Sequence, residues 1–165
     1  MDDFYNGVAD ATVETIKSDS WLGDTSNIKK VAANLTSDGD NAPVWDSNEV
    51  PAIYVECLGE QPSPDIETQA ERGVRLNVIV EIVHYSDDLG AAKVTVRKIA
   101  ARMSQLISRQ QSEIRFPDQA TQLDGFAEGG QVEYPNDVSF GSGPVGNGYL
   151  VLCMLRFFVR IFDPN

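Results

Sequence analysis

Apolar positions recur with two different periods along this chain, and the switches between them mark out its elements. Over residues 4–17, Tyr5, Val8, Ala9, Thr12 and Ile16 share one side at helical spacing, while Asn6, Asp10, Glu14 and Lys17 share the other. Asp2 or Asp3 stands where a capping carboxylate accepts the free N–H groups of the first turn. A second helical stripe, Ala92, Val96, Ile99, Ala100, Met103, Leu106 and Ile107, runs through residues 89–108. Arg97, Lys98, Arg102 and Arg109 fall off that stripe, and Ser86, Asp87 and Asp88 supply caps just ahead of it.

Elsewhere the period is two, which predicts strands. Residues 51–58 place Ile53, Val55 and Cys57 opposite Tyr54, Glu56 and Leu58. Residues 74–85 alternate Val74, Leu76, Val78, Val80 and Ile82 with Arg75, Asn77, Ile79, Glu81 and Val83. Residues 148–162 put Tyr149, Val151, Cys153, Leu155, Phe157, Val159 and Ile161 on one face, with Arg156, Phe158, Arg160 and Phe162 on the other. Residues 131–139 read as an edge strand, because Pro135 cannot donate to a ladder on both sides. A short strand is expected at 113–116, ended by Pro117, with a loop over 117–130.

Turn-forming residues fill the gaps. Residues 18–50 are rich in Asp, Ser, Asn, Gly and Thr, including the run Ser37-Asp38-Gly39-Asp40-Asn41. They predict a long surface excursion with one short ordered piece around 28–35. Residues 59–73, with Pro62 and Pro64, predict a second excursion, and 141–148 a glycine-rich hairpin loop. No internal repeat or linker divides the chain, so residues 1–165 are expected to form a single domain. The element order implies an α+β fold: a single, largely antiparallel β-sheet packed against two α-helices, with long polar loops. Residues 51–58 and 74–85 should pair as antiparallel neighbours.

Composition narrows function without naming it. The chain has 165 residues, 13 basic and 25 acidic, for a net charge of −12. Hydrophobic residues at 42% give an ordinary globular core. Such an acidic surface argues against binding nucleic acid through a general basic footprint. Neither a secretory leader nor a membrane-spanning stretch of about 18 apolar residues is expected. Cys57 and Cys153 sit on the apolar phase of their strands and read as buried, reduced thiols.

Chemistry-bearing patterns are sparse. His84 is the sole histidine and falls at a strand end, without a flanking nucleophile signature. Gly141-Ser142-Gly143-Pro144-Val145-Gly146-Asn147-Gly148 precedes a strand, whereas a phosphate cradle precedes a helix. The Asp38 to Asn41 stretch lacks the remaining ligands of a calcium loop, so turn chemistry explains it. Glu56 and Glu81 read as cross-strand neighbours on the outer sheet face, shared with Arg75, Arg156 and Arg160. Ion pairing or a subunit contact accounts for that group more simply than paired-carboxylate hydrolysis. The expected subunit-interface residues are therefore Arg75, Glu81, Arg156 and Arg160, and no catalytic, cofactor or metal site is expected.

Three features together carry a family resemblance. They are an opening helix and acidic loop leading to Val50-Pro51-Ala52-Ile53-Tyr54-Val55-Glu56, and Val78-Ile79-Val80-Glu81-Ile82-Val83-His84-Tyr85 running into Ser86-Asp87-Asp88 and a helix ending Ser104-Gln105-Leu106-Ile107. The third is the glycine-rich loop feeding the last strand. In this layout the chain resembles the tail terminator and tail-completion (neck) proteins of long-tailed bacteriophages. The resemblance implies a non-enzymatic virion protein, a homohexameric ring at the head-proximal end of the tail. Its implied partners are its own copies, the tail tube protein and the head–tail connector or neck proteins. Genomic DNA would pass through the lumen without specific binding, and an acidic lumen would suit that passage. The implied location is the virion tail or neck, assembled in the host cytoplasm. A head-completion or tail-tube protein is the alternative within that class. Outside it stand a small acidic enzyme and a ligand-binding domain.

Overall fold

The computed structural model describes residues 4–33, 45–61, 72–109 and 131–163. Along the chain these form α1 (Phe4–Ser18), β1 (Lys30–Ala33), β2 (Ala52–Gln61), β3 (Arg72–Ser86), α2 (Leu89–Arg109), β4 (Gln131–Val145) and β5 (Gly148–Asp163). The strands make one five-stranded sheet in the order β1-β2-β3-β5-β4. β1 pairs with β2 in parallel, and every other pairing is antiparallel. The fold is thus α+β, as the periodicities predict.

Both helices lie on one face of the sheet. α1 packs over β1 and β2, and α2 over β3 and β5. The core between them combines Val8, Ala9 and Ile16 of α1 with the full predicted stripe of α2. From the sheet it takes Ile53, Val55, Leu76, Val78, Val80, Ile82, Val151, Cys153, Leu155, Phe157 and Val159. Removing this apolar area from water is the main force holding the layers together. Tyr5, expected on the core stripe, is exposed instead, because it sits in the first turn of α1 beyond the packed part. Thr12 is buried, and its hydroxyl donates to the Val8 carbonyl at 2.8 Å, so no polar group is left unpaired there.

Capping side chains fix where the helices begin and end. Asp88 Oδ1 accepts from Ala91 N–H at 3.1 Å at the start of α2. The expected cap of α1, Asp2 or Asp3, lies outside the described residues. At the other end of α1, Asp19 Oδ1 accepts from the N–H groups of Trp21 and Leu22 at 3.0 and 2.9 Å. The same carboxylate accepts from Arg102 Nε and Nη2 of α2, each at 3.2 Å. One side chain therefore closes a turn and ties the two helices together. Burial alone would raise the Asp19 carboxyl, but the bonds from Leu22, Arg102 and Trp21 outweigh it and hold it below the usual carboxylate range. A depressed folded-state value means stability that is present above the unfolded value and lost as pH falls through the folded one. Asp19→Asn should cost about 1 kcal/mol at neutral pH. Urea denaturation of both proteins checks this, and their difference should vanish in acid.

Two expectations about the sheet are corrected. Residues 141–145 are not loop: they extend β4, and only Gly146 and Asn147 form the hairpin turn. Gly141, Ser142 and Gly143 pair with Leu152, Val151 and Leu150, so β5 imposes the extended conformation on a glycine-rich segment. Gly146 takes φ +57°, the left-handed geometry that a two-residue hairpin needs. Pro135 does leave a mark, since the β4–β5 register slips between Glu133 and Asp137. The second correction concerns the 59–73 excursion, into which β2 and β3 extend from both sides. In the 18–50 stretch, β1 falls on the short ordered piece expected around 28–35. The strand expected at 113–116, the loop at 117–130, and the Asp38 to Asn41, Pro62 and Pro64 turns lie outside the described residues.

Candidate functional site

The face of the sheet turned away from the helices is where the polar side chains gather. Alternation along β2, β3 and β5 brings them into rows. Tyr54 stands opposite Glu81, which stands opposite Met154; Glu56 stands opposite Ile79, which stands opposite Arg156. Glu56 and Glu81 are thus diagonal neighbours, one step apart, rather than directly opposed. Arg75 and Arg160 face each other across β3 and β5. Arg75 lies over the Phe158 ring with its guanidinium carbon 3.7 Å from the centroid, which spreads its charge over an aromatic face. Arg160 is placed by backbone register alone. The four residues expected at an interface therefore do share one face, spread over two adjacent strands.

One end of this face is a small second core. Val50, Ala52, Tyr54 and Val83 are buried there, with Ala32, Trp45, Tyr85, Leu150 and Leu152 packed against them. Trp45 stacks on Tyr85 with ring centroids 5.0 Å apart. Tyr85 also donates its hydroxyl to the Val145 carbonyl at 2.9 Å, joining this end to the β4–β5 hairpin. Nothing in the local pattern pointed to Trp45, which sits in a polar stretch; its isolation there as a large aromatic was the available signal.

The other end is polar but sunk. Asn77 and Glu81 are each only 7% exposed, and such burial is rare for a carboxylate. The Asn77 Oδ1 and Arg156 Nε atoms are buried without a hydrogen-bond partner among the described residues. Burial, with the nearby Glu56 carboxylate adding to it, pushes the Glu81 carboxyl above the usual range. Unsatisfied buried groups cost about 1–3 kcal/mol each, so the isolated subunit carries a local penalty on this face. Such a penalty is recovered when a second surface supplies the missing partners.

Other candidate chemistry is not brought to this face. His84 is half-buried opposite Val151, and burial followed by the Lys29 charge lowers its pKa, so the ring is neutral at pH 7. Its Nδ1 has no hydrogen-bond partner. Cys57 and Cys153 are not joined by a disulfide and stand on strands separated by β3. Burial pushes the Cys153 thiol up to about 11, which leaves it protonated and unreactive. Cys57 is half-buried and packs against the main core, next to a register shift between Cys57 and Gly59. Among the described residues, no three His, Cys, Asp or Glu side chains are grouped to hold a metal ion.

No protein-family model matches the sequence, and no curated protein does. A solved structure does resemble it. The chain is similar to a chain in the structure titled "Virion of native gene transfer agent (GTA) particle", with a TM-score of 0.53 over 96% of both chains. At 13% identity, what the two share is the fold. The overall chain fold is thus one also found in that particle.

Proposed function

We propose that this chain is a structural virion protein of a phage-like particle. In that reading it forms a ring at the head-proximal end of the tail, ends tail-tube assembly and joins the tail to the head connector. The observation that carries it is the end-to-end fold likeness to a chain of a virion particle. The sequence resemblance to tail terminators and the sunken polar face support it from independent directions. An acidic chain of net charge −12 suits a ring through which DNA passes, since like charge prevents phosphate from sticking. The Arg75, Glu81, Arg156 and Arg160 face then serves as a contact with another protein subunit of the assembly, where Asn77 and Arg156 find the partners they lack.

The test is the mass of the purified protein by light scattering over a range of concentrations, with imaging of any large species. A closed six-fold ring that caps tail tubes is the expected result. A strictly monomeric protein that turns over a small substrate would overturn it. A ring that binds the head-side connector but leaves tube length unregulated would move the assignment to a neck protein. The face is tested separately with Arg156→Gln/Arg160→Gln. Incorporation into particles, measured by co-sedimentation, should fall at least about tenfold, while the circular dichroism spectrum stays unchanged. Unchanged incorporation would assign both arginines to solvent.

A further inference from the structure

The sheet is open, so it has two edges, and they differ. β1 at one edge is four residues long and lies beneath α1. β4 at the other is 15 residues long, with one side of its backbone ladder unpaired among the described strands. An open edge of that length is a template for a further strand. The helix layer also stops short of it. Val138 and Phe140 of β4 stand opposite Leu155 and Cys153, both fully buried, yet they are themselves 41% and 51% exposed. α2 packs on β5 and only touches β4 at its margin, which leaves a groove of about 200 Å³ lined by Lys93, Arg97, Phe140, Gly141, Ser142 and Val151.

Charge says what fits there. α2 carries five basic residues and no acidic one, in a chain of net charge −12. Arg102 is taken by Asp19, and Lys98 lies over the Trp21 ring at 5.3 Å. Lys93 and Arg97 have no ion-pair partner among the described residues, and both line the groove beside an exposed phenyl ring. The opposite flank has the reverse character. Asp10 and Glu14 are exposed on α1, and Asp24 and Asp46 on the turns near β1; against these four stand the exposed Lys17 and Lys29, while Lys30 is taken by Glu49 at 2.9 Å. Strand directions match as well. β1 runs with β2, and three antiparallel steps then reverse the chain at β4. A β1 edge laid beside the β4 edge of another copy therefore meets it antiparallel.

We propose that copies of this chain associate head to tail, the β4–α2 flank of one receiving the α1–β1 flank of the next. The two surfaces are different patches on the same molecule, so each added copy presents a fresh flank, and rotation between copies closes the series into a ring. This deepens the ring reading above and rests on it for closure, but the contact itself needs no virion.

Sedimentation velocity of the full chain over a concentration range tests the contact. Phe140→Asp places a carboxylate in the groove, and Asp10→Asn/Glu14→Gln neutralises the opposite flank. The five parent side chains of these and of Lys93→Gln/Arg97→Gln stand clear of the core, and the last variant replaces Phe140→Asp if that one folds poorly. The wild type should form larger species, and each variant should associate at least about tenfold more weakly. An equimolar mixture of the two variants should stop at a heterodimer, because each retains the flank that the other lacks. Wild-type protein that stays monomeric throughout would overturn the inference, as would variants that associate like wild type or a mixture that stays monomeric. A Phe140→Asp protein that associates normally but melts several degrees lower would show that the chain's own residues fill the groove, and would also overturn it. Particle incorporation of the same variants separates the two readings. A solution monomer that still enters particles ends this inference alone, whereas a self-associating chain that never enters them ends only the virion reading.

Discussion

Replacing Gly23 by alanine should cost the fold about 3 kcal/mol, the largest effect expected from any single methyl group in this chain. An added Cβ at this position would lie 2.0 Å from the Lys17 carbonyl oxygen and 2.9 Å from the Asp19 carbonyl oxygen. Both neighbours are backbone, so neither yields by rotating a side chain. The Gly23 N–H also donates to the Asp19 carbonyl at 2.8 Å, and Asp19 in turn binds Arg102. Moving Gly23 outward would therefore loosen the turn, the end of α1 and the tie to α2 together. Equilibrium denaturation in urea measures the cost, with an unchanged slope expected because the folded core is the same. A loss below about 1 kcal/mol would mean that this turn relaxes freely, and that Asp19 holds the helices less firmly than its four hydrogen bonds imply.

The glycines illustrate how far the sequence could be read. The conspicuous run at 141–148 drew attention as a flexible loop, yet an added Cβ at Gly141 or Gly143 would meet nothing within 4 Å. Gly23, unremarkable in the sequence, is tightly enclosed in the fold, and so is Gly148 at the end of that run, where a Cβ would come within 2.7 Å of the Tyr85 ring. Enclosure depends on which distant backbone or ring arrives next to a residue, and local pattern carries no record of that. Periodicity succeeded where the information is local. Every residue of the α2 stripe is buried, and the core phases of β2, β3 and β5 are the predicted ones. It could not reveal that β5 inserts between β3 and β4, or that β1 joins β2 in parallel. Both are long-range choices set by how the layers close. The outer face was half legible for the same reason. Alternation put Arg75, Glu81, Arg156 and Arg160 on one side, but the depth at which Glu81 and Asn77 sit follows from neighbours on other strands.

Glu81→Met should stabilise the isolated subunit by about 2 kcal/mol at neutral pH and weaken its incorporation into particles. The two halves of that outcome come from one physical situation. The wild-type carboxylate is almost fully covered between Tyr54 and Met154, with Glu56 one diagonal step away. Its raised folded-state pKa means that the folded chain holds a proton more tightly than the unfolded chain does. Stability should therefore be highest below the unfolded value and fall as pH rises through the folded one, the opposite sign to Asp19. Methionine fills a similar volume, packs against the same neighbours and abolishes that pH dependence, so thermal melts between pH 4 and 8 should converge at the acid end. The contact proposed above gives Glu81 a role outside the subunit. A cationic partner laid on this face fits that role, because it would meet Glu81 in its charged form and lower the pKa that burial raises. Tighter folding with undiminished incorporation would remove Glu81 from the contact and leave Arg156 and Asn77 as its remaining support.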